Sequence, residues 1–153
     1  MSVSRTGWTL VITGFTWMLV SMIAGFSLIG LEQIYGGIPV YCKSAHSHLA
    51  TCSIILVAMG VAIALAGRYD IEHCRTVAMW AAFLSSFGTI LAFLMEYLAG
   101  LQSTGYIEGA SLTPMLAEKL RPLLVGVAFG MGLFFIGIIL AVKVCFAAMI
   151  SEK

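Results

Sequence analysis

Four long apolar stretches, about 8–31, 49–67, 76–101 and 122–150, leave this chain little else to build with. A helix needs roughly 20 apolar residues to cross the hydrocarbon core of a bilayer, and each stretch meets that length. Hydrophobic residues make up 61% of the sequence and charged residues 10%. A soluble domain of this size could not bury so much apolar surface. The predicted fold is therefore all-α, an integral membrane four-helix transmembrane bundle, with residues 1–153 as a single membrane domain. The first stretch outruns the ~7–15 residue apolar region of a secretory signal and lacks a small-x-small cleavage site, so it reads as a retained helix.

The eight basic residues are spread along the chain, and the net charge is +1. Neither suits a nucleic-acid partner. Arg5, Arg68, Arg75, Lys143 and Lys153 fall on the side of the termini, against Lys43, Lys119 and Arg121 on the other. That excess predicts a multi-pass protein with cytoplasmic termini. The segment from Arg68 to Arg75 reads as a polar connector between the second and third helices. In the last long connection, Thr113 is placed to cap a turn of helix that begins at Pro114.

Polar residues gather at the end of the bundle opposite the termini. Lys43-Ser44-Ala45-His46-Ser47-His48-Leu49 opens the second apolar stretch, Glu32 closes the first, and Glu118 precedes the fourth. Glu96 lies about 30 Å along the third helix from Thr76, which returns it to the level of the histidines. It is flanked by Met95 and Tyr97 within an apolar run, so it should face the bundle interior or a partner. Glu32 and Glu118 read as headgroup anchors.

Imidazole and carboxylate together suit zinc, copper or iron. His46, His48, Glu96, Cys42 and Cys52 are the candidate metal ligands, the two thiols favouring copper. Residues two apart on a helix point roughly 200° from each other. His46 and His48 could therefore share an ion only if the helix begins between them. Otherwise one faces the interior and the other the periphery. As alternatives, Cys52 is a small apolar packer, or it forms a disulfide with Cys42 in an oxidising compartment. No Cys-x-x-Cys, serine-hydrolase constellation, phosphate loop or zinc-protease signature occurs.

Ala45-His46-Ser47-His48-Leu49 resembles the Ala-His-Ala-His-Leu motif of short four-helix membrane proteins that are similar to part of subunit I of haem-copper oxidases and nitric oxide reductases. In the full-length members an Arg-x-x-His segment opening the second helix supplies an axial haem ligand. The resemblance implies that His46 is a haem ligand and that Lys43, in the arginine position, partners a propionate or headgroup. His48 matches only the short proteins. The short relatives continue Asn-Leu-Leu-Gly-Trp where this chain has Ala50-Thr51-Cys52-Ser53-Ile54. The remaining histidine, His73, belongs to the opposite face, so a second axial ligand would be His48, Met59 or a residue of another chain.

Glycines at 126, 130, 132 and 137 make the fourth helix a close-packing element, with Gly126-x-x-x-Gly130 allowing near backbone approach. Ser21, Gly25, Ser85 and Gly88 do the same for the first and third helices, while Phe129, Phe134, Phe135 and Phe146 offer a bulky surface. The expected partners are the lipid bilayer and other membrane subunits through the Gly-rich fourth helix, in a hetero- or homo-oligomer. Two functions follow. One is a subunit of a respiratory or other redox complex, holding haem or copper at the outer face for electron transfer. The other is an accessory subunit with no cofactor, in which the same residues tie helices together. A transporter ranks third, because repeats and broken paired helices are missing.

Overall fold

The computed structural model describes residues 1–69, 71–103, 106–107 and 111–151. Asp70, Lys153 and the middle of the last connection lie outside them. Four helices account for nearly all of the described chain: α1 (Val3–Tyr35), α2 (Val40–Ala66), α3 (Arg75–Gln102) and α4 (Pro114–Ser151). A short 3₁₀ turn at Glu72–Cys74 leads into α3. All four helices are long and apolar enough to cross a membrane. The protein is an all-α four-helix membrane bundle.

Each helix exceeds its apolar stretch because local chemistry extends it. Ser2 caps α1 through its hydroxyl on the Arg5 N–H at 3.3 Å. At the other end Gly36 takes a left-handed backbone, φ 72°, and returns its N–H to the Glu32 carbonyl, a stop that glycine adopts without a Cβ clash. Thr113 caps α4 at the Leu116 N–H, 3.4 Å away. Pro114 takes the first helical position as expected, but this turn continues unbroken into α4 instead of forming a separate interfacial piece.

The larger correction is at α2. It starts at Val40, nine residues before the expected Leu49, with Pro39 in the preceding cap position. The buried series Cys42, Ala45, Leu49, Cys52, Leu56, Met59, Ile63 alternates steps of three and four. That is the spacing of a single helix face packed in a bundle. Lys43 and Ser47 are exposed between these positions, so the polar residues that looked like a loop occupy the outside of a helix that has already begun.

α1 packs chiefly on α2 and α4 chiefly on α3, with α2 and α3 joined across the middle. Small residues set these spacings. A Cβ on Gly60 would lie 2.7 Å from the Val11 N, so α1 and α2 touch backbone to backbone. Gly130 meets α3 in the same way, 2.7 Å from the Ala92 N, and Gly126 faces Met95. The Gly126-x-x-x-Gly130 motif is thus used inside the chain, against α3. Close approach of this kind is how membrane helices gain packing without a hydrophobic drive.

One core cluster runs from Val3, Ile71 and Ala148 to Leu56 and Phe134, and a smaller one joins Ala24, Ala45, Leu49 and Phe93 at the other end. Phe134 is 1% exposed, so it belongs to the core. Phe129, Phe135 and Phe146 face outward as expected. So do Trp8, Ile12, Phe15, Leu19, Met22 and Phe26 along α1. An apolar exterior on this scale requires hydrocarbon as solvent.

Candidate functional site

α2 has 27 residues and so spans about 40 Å, some 10 Å more than a hydrocarbon core of ~30 Å. His46 and His48 lie about 9 and 12 Å from its start. Both therefore lie beyond the first turn of α2, within the helix and not ahead of it. Polar groups there need partners, and each histidine has one on a different helix.

His46 turns to α1. Its Nδ1 lies 2.9 Å from the Ser21 carbonyl and 3.2 Å from the Ser21 hydroxyl, while that hydroxyl also donates to the His46 carbonyl at 3.2 Å. Because a carbonyl can only accept, Nδ1 carries the proton in this arrangement. The ring fits because residue 25 is glycine. A Cβ there would stand 2.9 Å from Cε1.

His48 turns to α3. Its Nδ1 is 2.7 Å from Glu96 Oε2, with the His48 side chain 48% exposed and that of Glu96 6%. Glu96 faces inward, as its apolar flanks predicted. With Glu96 ionised, Nδ1–H of His48 donates to it, and a buried carboxylate is satisfied by a charge-assisted bond.

The neighbouring polar groups complete a layer at this depth. Tyr97, beside Glu96, reaches α1 through its hydroxyl, 2.8 Å from Ser27 Oγ. Cys42 is buried, its thiol 3.7 Å from the Tyr97 carbonyl and packed on Gly100. Tyr41 stacks obliquely on Tyr106, ring centroids 5.7 Å apart, and lies within electrostatic reach of Glu96. Below them Ser53, Ser85 and Thr89 return their hydroxyls to carbonyls of their own helices at 2.6–2.8 Å, which makes them inert fillers.

The five proposed metal ligands are distributed around this layer. Among the described residues, no group of three or more His, Cys, Asp or Glu side chains comes together to hold an ion. Because α2 begins before both histidines, their rings diverge. Cys52 is ten residues from Cys42 on the same helix, about 15 Å along the axis, whereas a disulfide needs Cα atoms roughly 4.4–6.8 Å apart. All four cysteines are free. Met59 is buried about 20 Å below His46, too far to ligate the opposite side of the same iron. His73 lies in the 3₁₀ turn at the other end. Lys43 is exposed one turn before His46.

Ser21, Gly25, Ser27, Tyr41 and Tyr97 take part in this layer without having stood out as site residues. The signal for two of them was present. Ser21 and Gly25 are one turn apart, a hydroxyl and a gap on the same face of α1. Comparison with known families, curated proteins and solved structures returns no match.

Proposed function

We propose that this chain is an accessory membrane subunit of a respiratory or other redox complex, with termini in the cytoplasm and α2 acting as a cofactor-free pillar. The observation that carries this reading is the division of labour between the imidazoles, His46 on Ser21 of α1 and His48 on Glu96 of α3. Hydrogen bonds in a medium without competing water orient helices that van der Waals contact alone would let slide. The resemblance around Lys43–Leu49 supports membership in a redox assembly, and the lipid-facing surface offers area for neighbouring subunits.

A second reading keeps the haem. In metal sites a ligating histidine commonly gives its other ring N–H to a carbonyl or carboxylate, and both His46 and His48 have Nδ1 tied in that manner. Each could supply one axial nitrogen, with Lys43 near a propionate, and every other ligand would come from another chain. A multi-ligand copper site fits poorly, since the thiols of Cys42 and Cys52 are buried apart from each other on α2.

A reduced-minus-oxidised optical spectrum of the gently extracted protein, with its thermal unfolding, separates the two. The pillar reading expects a flat spectrum and a lowered melting temperature for both His46→Ala and His48→Ala. Haem bands that vanish with one substitution and survive the other would establish the cofactor reading.

A further inference from the structure

We infer that the outward groove on α4 binds phosphatidylethanolamine, with Glu118 taking the ammonium group, Arg121 the phosphate, and Leu124, Val125 and Ala128 the start of an acyl chain. This rests on α4 crossing the bilayer, and not on the accessory-subunit reading above.

One cavity holds all of these parts. Ala117, Glu118, Arg121, Leu124, Val125 and Ala128 line a single open groove of about 500 Å³. An alanine at each end leaves depth that a larger side chain would fill. Glu118 and Arg121 are exposed, and among the described residues neither has an ion-pair partner. Two opposite charges without protein partners thus share a groove whose other walls are apolar.

The level of this groove follows from the charges along α4. Residues 122–142 carry none, and Arg121 and Lys143 close that run at its two ends. At ~1.5 Å per residue the run is about 30 Å long, the thickness of the hydrocarbon core. Arg121 therefore stands at the edge of the apolar layer, with Glu118 about 4.5 Å further out and Leu124, Val125 and Ala128 inside it.

From solvent inward, the groove presents an acid, a base and then a hydrocarbon wall. Phosphatidylethanolamine presents an ammonium, a phosphate and then a chain in the same order. Arginine meets phosphate oxygens with a fork of N–H donors, and a primary ammonium donates N–H to a carboxylate. Phosphatidylcholine has a quaternary nitrogen with no N–H to give, and phosphatidylglycerol offers Glu118 no cation. A second copy of the chain, inserted in the same direction, would pack this face about a two-fold axis with Glu118 against Glu118 and Arg121 against Arg121. Like charges would then oppose each other.

The test uses the purified chain in phosphatidylcholine nanodiscs that contain a trace of phosphatidylethanolamine bearing a diazirine on its acyl chain. Label is expected on the α4 peptide around residues 124–128. Added phosphatidylethanolamine should displace it about ten times better than phosphatidylglycerol does, the worth of roughly 1.4 kcal/mol. Glu118→Gln should remove that preference, and Arg121→Gln should weaken displacement by both lipids. The exchange Glu118→Arg with Arg121→Glu keeps the net charge and reverses the order, so it should remove the preference as well. Lys119→Gln, beside Glu118 but outside the groove, should leave it unchanged. Should a charge variant fail to fold, Ala128→Trp fills the apolar end of the groove and should abolish labelling of this peptide. A preference kept by Glu118→Gln or by the exchanged pair, or label spread evenly over the four helices, would overturn the inference. So would a crosslink between two copies through Ala128→Cys that forms whatever the lipid, which would assign the groove to a second chain. The accessory-subunit reading turns on the spectrum and melting of the histidine variants, so the two ideas fail separately.

Discussion

The 2.7 Å contact between His48 Nδ1 and Glu96 Oε2 joins an outward-facing imidazole to a buried carboxylate across the α2–α3 seam. Neither residue is well accommodated among apolar neighbours alone. Glu96 would be an unpaired acid in the interior, and His48 a polar ring with no orientation. Truncating one partner should therefore cost more than removing both. We expect Glu96→Gln and His48→Ala each to destabilise the protein by about 1–3 kcal/mol. The double variant should fall short of the sum by at least about 0.5 kcal/mol, read from reversible unfolding in a double-mutant cycle.

Gly25 makes room for the His46 ring, and that predicts a compensating pair. Gly25→Ala places a methyl 2.9 Å from Cε1, which overpacks the α1–α2 seam at a cost of about 1–3 kcal/mol. His46→Ala removes both the ring and the collision. In the His46→Ala background, Gly25→Ala should be close to neutral. Melting of the four proteins of the cycle checks this, and equal effects of Gly25→Ala in both backgrounds would contradict it.

Trp17 Nε1 is a buried donor with no acceptor among the described residues, although its ring packs on both core clusters. The ring stabilises and the N–H does not. Trp17→Phe should thus cost less than about 1 kcal/mol, since replacing an unsatisfied polar group is nearly neutral. Trp17→Ala should cost about 3–5 kcal/mol. Chemical denaturation of the two variants side by side distinguishes ring from donor.

Cys42 and Cys52 remain thiols under oxidation if α2 is continuous through both. Treatment with a mild oxidant such as copper phenanthroline in detergent should leave no bridge between them by mass spectrometry of the α2 peptide. A quantitative Cys42–Cys52 disulfide would mean that the helix begins after Cys42, and the placement of the histidines within α2 would fall with it.

Replacement of Gly130 by Leu should separate α3 from α4, because the Cβ already meets the Ala92 N at 2.7 Å and the backbone cannot yield cheaply. The expected loss is about 1–3 kcal/mol or more, seen as a lower melting temperature. Gly132→Leu, where a Cβ meets nothing within 4 Å, should leave stability nearly unchanged.

Much of the fold was legible because hydrocarbon is an undiscriminating solvent. Runs of apolar residues of the right length are enough to specify four spanning helices, and successive crossings make chain neighbours antiparallel. The ends were less legible. Residues 40–48 look like a polar loop by composition. What makes them helical is the burial of Cys42 and Ala45 against α3 and α1, a three-and-four rhythm that reads clearly only once continued through Leu49 and Cys52. Glu96 was recognisable as inward because its apolar flanks left it no other tolerable direction.

By itself, the sequence determined that this protein lives in a bilayer as a helical bundle, and that two imidazoles and a carboxylate share one level of it. Those conclusions follow from hydrophobicity and from a rise of about 1.5 Å per residue, which are one-dimensional quantities. Which helix each histidine faces, the use of Gly25 as a socket, the turn of Gly126 and Gly130 toward α3, and the distance between Cys42 and Cys52 were decided only by the tertiary structure. Those depend on the rotation of each helix about its own axis. Rotation is set by how small and large residues of two helices interlock, and in lipid no difference in polarity between the helix faces is needed to choose it.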